Sequence, residues 1–273
     1  MNENVVTAQG NRLIGIVSEA DQPLADKPII VLLNAGLLHK VGPFRFYVKL
    51  ARKLAQQGYT VCRFDLSSIG DSDNSADFKN HDIQVVKDVA TMLDRLGKRY
   101  PSNRFVLMGL CTGADIAHRS LVQDPRIVGA LFWDGYGYPT KQFYLRRYGP
   151  ILFSPTRLMA LIKKTFGWGQ TQEDPLMGIE ESVRFNWHLP EKSKTLVELQ
   201  GFIQRKVELF YIFTGGVNMY YNYENQFRES FSELDFADRL RVDYMPEADH
   251  TYILNSDQEN VISRVESWLQ ERF

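Results

Sequence analysis

The feature that most restricts this chain is the pentad Gly109-Leu110-Cys111-Thr112-Gly113. It follows Arg104-Phe-Val-Leu-Met108, which reads as a strand, and precedes a segment from Ala114 to about Gln123, which reads as a helix. A chain that passes from strand to helix in so few residues must turn sharply. Glycines on both sides of the turn remove side chains that would clash with the strand or the helix. The central residue is held at the tip, with the N-terminus of the next helix aimed at it. The partial positive charge and free amides there favour a thiolate and a developing oxyanion. Taken alone, the pentad reads equally well as a plain turn with a buried thiol. The rest of the chain decides between these readings.

The order of elements is legible. Asn11 to Val17 reads as an early strand. Pro28-Ile-Ile-Val-Leu-Leu33 is a buried strand ending in the turn signal Asn34-Ala35-Gly36. Arg45 to Gln57 has helical spacing at Phe46, Leu50 and Leu54, and Gly58 stops it. Tyr59 to Phe64 is a strand, and His81 to Arg99 is a helix with Val85, Val89, Met92 and Leu96 on one face. Ile127 to Trp133, Val207 to Phe213 and Leu240 to Met245 complete the strands. A helix is expected near Gln226 to Leu234, and the chain closes with one over Gln258 to Phe273. Strands alternating with helices at this spacing imply a parallel sheet with right-handed crossovers. From Gly135 to Arg205 the pattern changes to aromatic, basic, proline-broken short helices. That segment, 135–205, is expected to be a cap inserted over the sheet's C-terminal edge, with 1–134 and 206–273 forming the core.

Composition narrows the function classes. The chain has 273 residues, 44% of them hydrophobic, with a formal net charge of −1. That suits one large α/β domain, or two small ones, and gives no electrostatic case for nucleic acid or an anionic membrane as partner. The basic pairs Arg146-Arg147 and Lys163-Lys164 read as solvated helix faces. The cysteines, Cys62 and Cys111, have no spacing for zinc or a disulfide framework, and no histidine pair has ligand spacing, so neither metal nor cofactor is expected. The start lacks a basic stretch followed by an apolar run, and no segment approaches 18 uninterrupted apolar residues. A cytoplasmic location is the expectation.

Cys111 needs a base, and His250 is the candidate. It lies in Glu247-Ala-Asp-His-Thr251, after the last strand and before the last helix. His39 sits in the loop after the first core strand, where it is placed to touch substrate, as is Tyr136. His81 and His118 read as helix residues near the surface, and His188 falls in the cap. For the acid, Asp134 at the end of the strand Ile127 to Trp133 is preferred, with Glu224 and Asn218 as alternatives. The expected oxyanion donors are the amide of Thr112 and that of Gly36, with Leu37 next. Asp65 and Ser72 are expected to tie their own polar loop together.

Taken together, Asn34-Ala-Gly-Leu, Val41-Gly-Pro-Phe-Arg45, Arg63-Phe-Asp-Leu66 with Gly70-Asp-Ser72, the Gly-Leu-Cys-Thr-Gly turn and Asp249-His250 resemble the α/β-hydrolase superfamily. Within it the chain is most similar to serine-aminopeptidase-like and exosortase-associated hydrolases. The resemblance implies a mostly parallel sheet of about eight strands, helices on both faces and a helical cap. It also implies that His250 stands where the fold keeps its histidine. The chain departs from the pattern twice: Cys111 replaces the nucleophilic serine, and the loop Thr214-Gly-Gly-Val-Asn-Met219 lacks the acid usually found there.

These readings point to acyl chemistry on an ester or thioester, small or carrier-bound, through an acyl-Cys111 intermediate resolved by water or another nucleophile. Thioesterase, esterase and acyltransferase activities all fit. A non-enzymatic binding module on the same fold is the alternative, motivated by the missing acid. A dienelactone-hydrolase-like enzyme also uses cysteine in this fold, but the long insertion argues against it.

Overall fold

In the computed structural model of the chain, the described residues are 2–10, 12–20, 24, 26–74, 81–152 and 189–273. Their frame is one eight-stranded sheet in the order β1-β2-β4-β3-β5-β6-β7-β8. The strands are β1 (Asn2–Ala8), β2 (Leu13–Glu19), β3 (Ile29–Leu33), β4 (Val61–Phe64), β5 (Phe105–Leu110), β6 (Ile127–Trp133), β7 (Glu208–Thr214) and β8 (Leu240–Met245). β1, β2 and β4 pair antiparallel, and every later pairing is parallel.

The helices are α1 (Phe46–Gln56), α2 (His81–Arg99), α3 (Thr112–Gln123), α4 (Lys141–Leu152), α5 (Lys192–Gln204), α6 (Gln226–Ser230) and α7 (Asn255–Arg272). Side chains alternate across a strand, so β3 shows how both faces are covered. Ile29, Val31 and Leu33 join a cluster with Val85, Val89 and Met92 of α2, Ile116, Ala117 and Leu121 of α3, and Leu199 and Phe202 of α5. Ile30 and Leu32 join the other cluster, with Phe46, Leu50 and Leu54 of α1 and Val261, Val265, Trp268 and Leu269 of α7. A strand buried on both faces reads as an unbroken apolar run, which is why β3 has no polar residue.

The segment expected to form the cap is described in two parts, 135–152 and 189–205. α5 packs on α3 and the sheet core, with Thr195, Leu199 and Phe202 buried. Phe153, Phe166, Trp168, the Lys163-Lys164 pair and His188 lie outside the described residues. Among the described residues no helix is long and apolar enough to cross a membrane.

Candidate active site

Parallel strands deliver their C-terminal ends to one edge. Leu110 is in register with Trp133, and Trp133 with Ile212. The next residues, Cys111, Asp134 and the Thr214 region, therefore emerge side by side. Cys111 has φ 56° and ψ −115°, a strained conformation for a residue with a Cβ. Its amide donates to Trp133 O at 2.9 Å, and its carbonyl accepts from Ala114 N at 2.9 Å. Both glycines of the pentad are sterically required. A Cβ on Gly109 would lie 2.2 Å from Gly113 backbone, and one on Gly113 would lie 2.6 Å from Asn34 O. The turn that strains Cys111 also presses α3 against the loop after β3. Cys111 is half-buried, whereas Cys62 is fully buried and burial pushes its thiol up to about 12.

The Cys111 side chain acts on the His250 ring, whose Nδ1 lies 2.7 Å from Asp134 Oδ2. Asp134 is 1% exposed and sits at φ 50°, a left-handed position that Asp tolerates better than most residues. Thr214 N donates to Asp134 Oδ1, and Thr214 Oγ1 donates to Oδ2, each at 2.7 Å. The loop that lacks an acid of its own thus orients the carboxylate of the neighbouring strand. Hydrogen bonds to Asp134 and then to Cys111 outweigh burial and raise the imidazole to about 10. An imidazole so raised is ready to hold a proton taken from the thiol. Gly216 stands against His250: a Cβ there would lie 2.7 Å from the His250 Cβ.

Residues 29–150 match the family described as serine aminopeptidase, S33. No curated protein is significantly similar to the sequence. Solved structures resemble the whole of it. A protein of unknown function from Agrobacterium tumefaciens, described as an α/β hydrolase, is 15% identical with TM-score 0.59 over 99% of this chain and 96% of that one. An α/β hydrolase from Penicillium sp. is 15% identical with TM-score 0.57 over 99% and 98%. An esterase from Pyrococcus furiosus is 18% identical with TM-score 0.58 over 99% and 90%. This is an α/β-hydrolase-fold chain.

The remaining candidates of the hydrolase-fold site are distributed as follows. Neither alternative acid touches His250: Glu224 is exposed, and the Asn218 side chain accepts from Tyr244 Oη at 2.9 Å. The Gly36 amide is not free, because it donates to Thr112 Oγ1 at 2.7 Å. Among the described residues the amides of Thr112 and Leu37 make no backbone hydrogen bond in the turns and loops, and the Thr112 hydroxyl keeps its own proton while accepting from Gly36. Tyr136 is buried, and its hydroxyl donates to Asp115. His118, expected near the surface, is 2% exposed: α5 covers it, and Glu198 of that helix meets its Nε2 at 2.9 Å.

His39 belongs to a cluster that pattern reading missed. The ligand atoms of His39, Asp65 and Asp71 lie within 4.8 Å of one another, an arrangement suited to a cation. The cation present is an ammonium. Lys40 Nζ lies 2.7 Å from Asp65 Oδ2, 2.6 Å from Asp71 Oδ2 and 2.9 Å from His39 Nε2. Two of its three protons meet the carboxylates of Asp65 and Asp71. Lys40 also holds the exposed Asp71 carboxyl below its usual value, with His39 assisting. Asp65 further accepts from the Lys40 amide at 2.6 Å, from Asn34 Nδ2 at 3.0 Å and from the Asp71 amide at 3.0 Å. The loop carrying Gly36 and Leu37 is thereby clamped to the loop after β4. Ser72 ties that second loop, donating to Asp65 O at 2.6 Å.

Proposed function

We propose that this chain is an acyl-transferring hydrolase that takes the acyl group of an ester or thioester onto Cys111 and passes it to water or another nucleophile. The observation that carries the reading is the unbroken relay from Cys111 through His250 to the buried Asp134.

Cys111 Sγ attacks the carbonyl carbon, and its proton goes to His250. The oxyanion of the tetrahedral adduct is held by the amides of Thr112 and Leu37 and by the Thr112 hydroxyl. Collapse expels the alcohol or thiol, which takes the proton back from His250. Water or an acceptor then attacks the acyl-Cys111 thioester with the same groups in reverse order. Asp134 orients the imidazole and fixes its tautomer.

A thioester substrate suits this site better than an amide. Exchange between two thioesters is close to balanced, and the leaving thiolate is no worse than Cys111 itself. From an amide adduct, the Cys111 thiolate is the better leaving group, and the adduct reverts. The binding-module alternative rested on the missing acid, and Asp134 removes that motive.

Intact-protein mass spectrometry with a panel of acyl thioesters and activated esters tests the proposal. The expected result is one acyl adduct on the native chain and none on Cys111→Ala. A native chain that no member of the panel acylates, with Cys111 inert to iodoacetamide at neutral pH, refutes it.

A further inference from the structure

Resting on that reading, we infer that Arg146 and Arg147 of α4 form a subsite for an anionic group, phosphate or carboxylate, carried by the substrate. Both guanidinium groups line a cavity of about 810 Å³ whose other walls are Leu145, Gly149, Asn218, Asn222 and Tyr244. Among the described residues the lining contains no carboxylate. Neither arginine forms an ion pair among the described residues, whereas fifteen other basic side chains do.

Each guanidinium is oriented yet underused. Arg147 spends one proton on Asn218 O at 3.1 Å and lies near the faces of Phe143 and Tyr148. Arg146 lies over the Tyr223 ring at 5.1 Å. A guanidinium has five N–H donors, so most remain free to meet an anion, and aromatic stacking limits the side-chain entropy lost on binding. The Glu229 carboxylate accepts from Tyr223 Oη at 2.6 Å.

The cavity lies beside the reacting groups. Arg147 bonds the carbonyl of Asn218, and Gly216, two residues earlier, stands against His250. Two residues span at most about 7 Å. Tyr244, in the cavity wall, feels the charges of Arg146, Asp134 and Glu247. An anion held here keeps a thioester tethered while its carbonyl reaches Cys111.

The test begins with titration calorimetry of glutarate and of coenzyme A against the native chain and Arg146→Gln/Arg147→Gln, with circular dichroism confirming that the variant folds. At least one anion is expected to bind the native chain tenfold or more tighter than the variant, and to weaken with added salt. Equal binding by both chains, or none by either, overturns the subsite. Which anion binds tells a carboxylate on the acyl group from the phosphates on the thiol side.

Single-turnover acylation of Cys111 then compares glutaryl and acetyl thioesters of N-acetylcysteamine with acetyl-coenzyme A. The rate ratio of the favoured anionic thioester to the neutral one is expected to exceed ten natively and to fall toward one in the variant. Anion binding with a native ratio of one overturns the assignment to substrate. Absence of acylation by every thioester, while the anion still binds through the arginines, refutes the proposed reaction and leaves the subsite standing without a substrate to serve.

Discussion

Replacing Lys40 by Met removes the ammonium paired with a carboxylate that has no access to water. Asp65 is 0% exposed and Lys40 2%, so the pair is fully desolvated. Breaking a buried pair from one side costs about 3–5 kcal/mol, because the orphaned charge remains inside. Asp65 keeps the Asn34 amide and two backbone donors, which favours the lower end of that range. The bonds to Asp71, whose side chain is 62% exposed, and to half-exposed His39 add less than about 1 kcal/mol. The expected loss is therefore about 3–4 kcal/mol. At roughly 2–4 °C per kcal/mol for a chain of this size, Tm falls by about 6–16 °C. Urea denaturation gives the free energy, and a calorimetric scan gives Tm. The double variant Lys40→Met/Asp65→Asn removes the orphaned charge and should recover at least half the loss. A Tm for Lys40→Met within about 2 °C of native, or a double variant no more stable than the single one, refutes the buried-charge argument.

Other outcomes follow from the site. Asp134→Asn should slow Cys111 acylation by about 10²–10⁴-fold without unfolding the chain, since His250 loses its orienting charge; single-turnover kinetics check this. Thr112→Val should slow acylation by about 10–100-fold while Thr112→Ser retains most of it, because the hydroxyl and not the methyl serves the oxyanion; equal rates for the two variants would exclude the hydroxyl. Gly216→Ala sets a methyl 2.7 Å from the His250 Cβ and 2.8 Å from its backbone nitrogen, so kcat should drop more than about tenfold with a stability loss of about 1–3 kcal/mol. His250 is raised from 6.5 to about 10, so its protonated form contributes stability in full below pH 6.5, and this is lost as pH rises toward 10. Urea midpoints at pH 6 and 9.5 should converge for native and His250→Gln chains at the higher pH.

Much of the frame is readable from the chain because parallel strands buried on both faces leave unbroken apolar runs. β6 begins and ends where such a run does, β8 follows the expected bounds as an alternating edge strand, and α2 begins and ends where its amphipathic pattern does. β1 escaped notice: Asn2–Ala8 is an edge strand, mostly exposed, so nothing forces an apolar run. α3 begins at Thr112 instead of Ala114, because the strained Cys111 starts the helix and Gly113 is there for closeness to Asn34 and does not break it. α6 stops at Ser230, short of the expected Leu234.

The site divides the same way. Cys111 and His250 announce themselves by position between elements. Choosing among Asp134, Glu224 and Asn218 depends on which strand ends lie side by side, which is a matter of sheet register and not of local pattern. The Lys40 cluster joins residues 25 and 31 positions apart through side chains alone, and no periodicity records that. Arg146 and Arg147 are exposed, as a solvated helix face would be; only the wall opposite them, from the β7 and β8 loops, makes a cavity.

The relay also carries an order in time. His250 follows its carboxylate by 116 positions, and the thiol precedes both. A chain being made on the ribosome can set Cys111 and Asp134 at the ends of β5 and β6 long before their histidine exists. Until β8 docks and brings His250 to the sheet edge, Cys111 lacks the base that the proposed reaction assigns to it. On that proposal, nascent or C-terminally clipped molecules would lack acylation activity, and activity would arise as nearly the last event of folding.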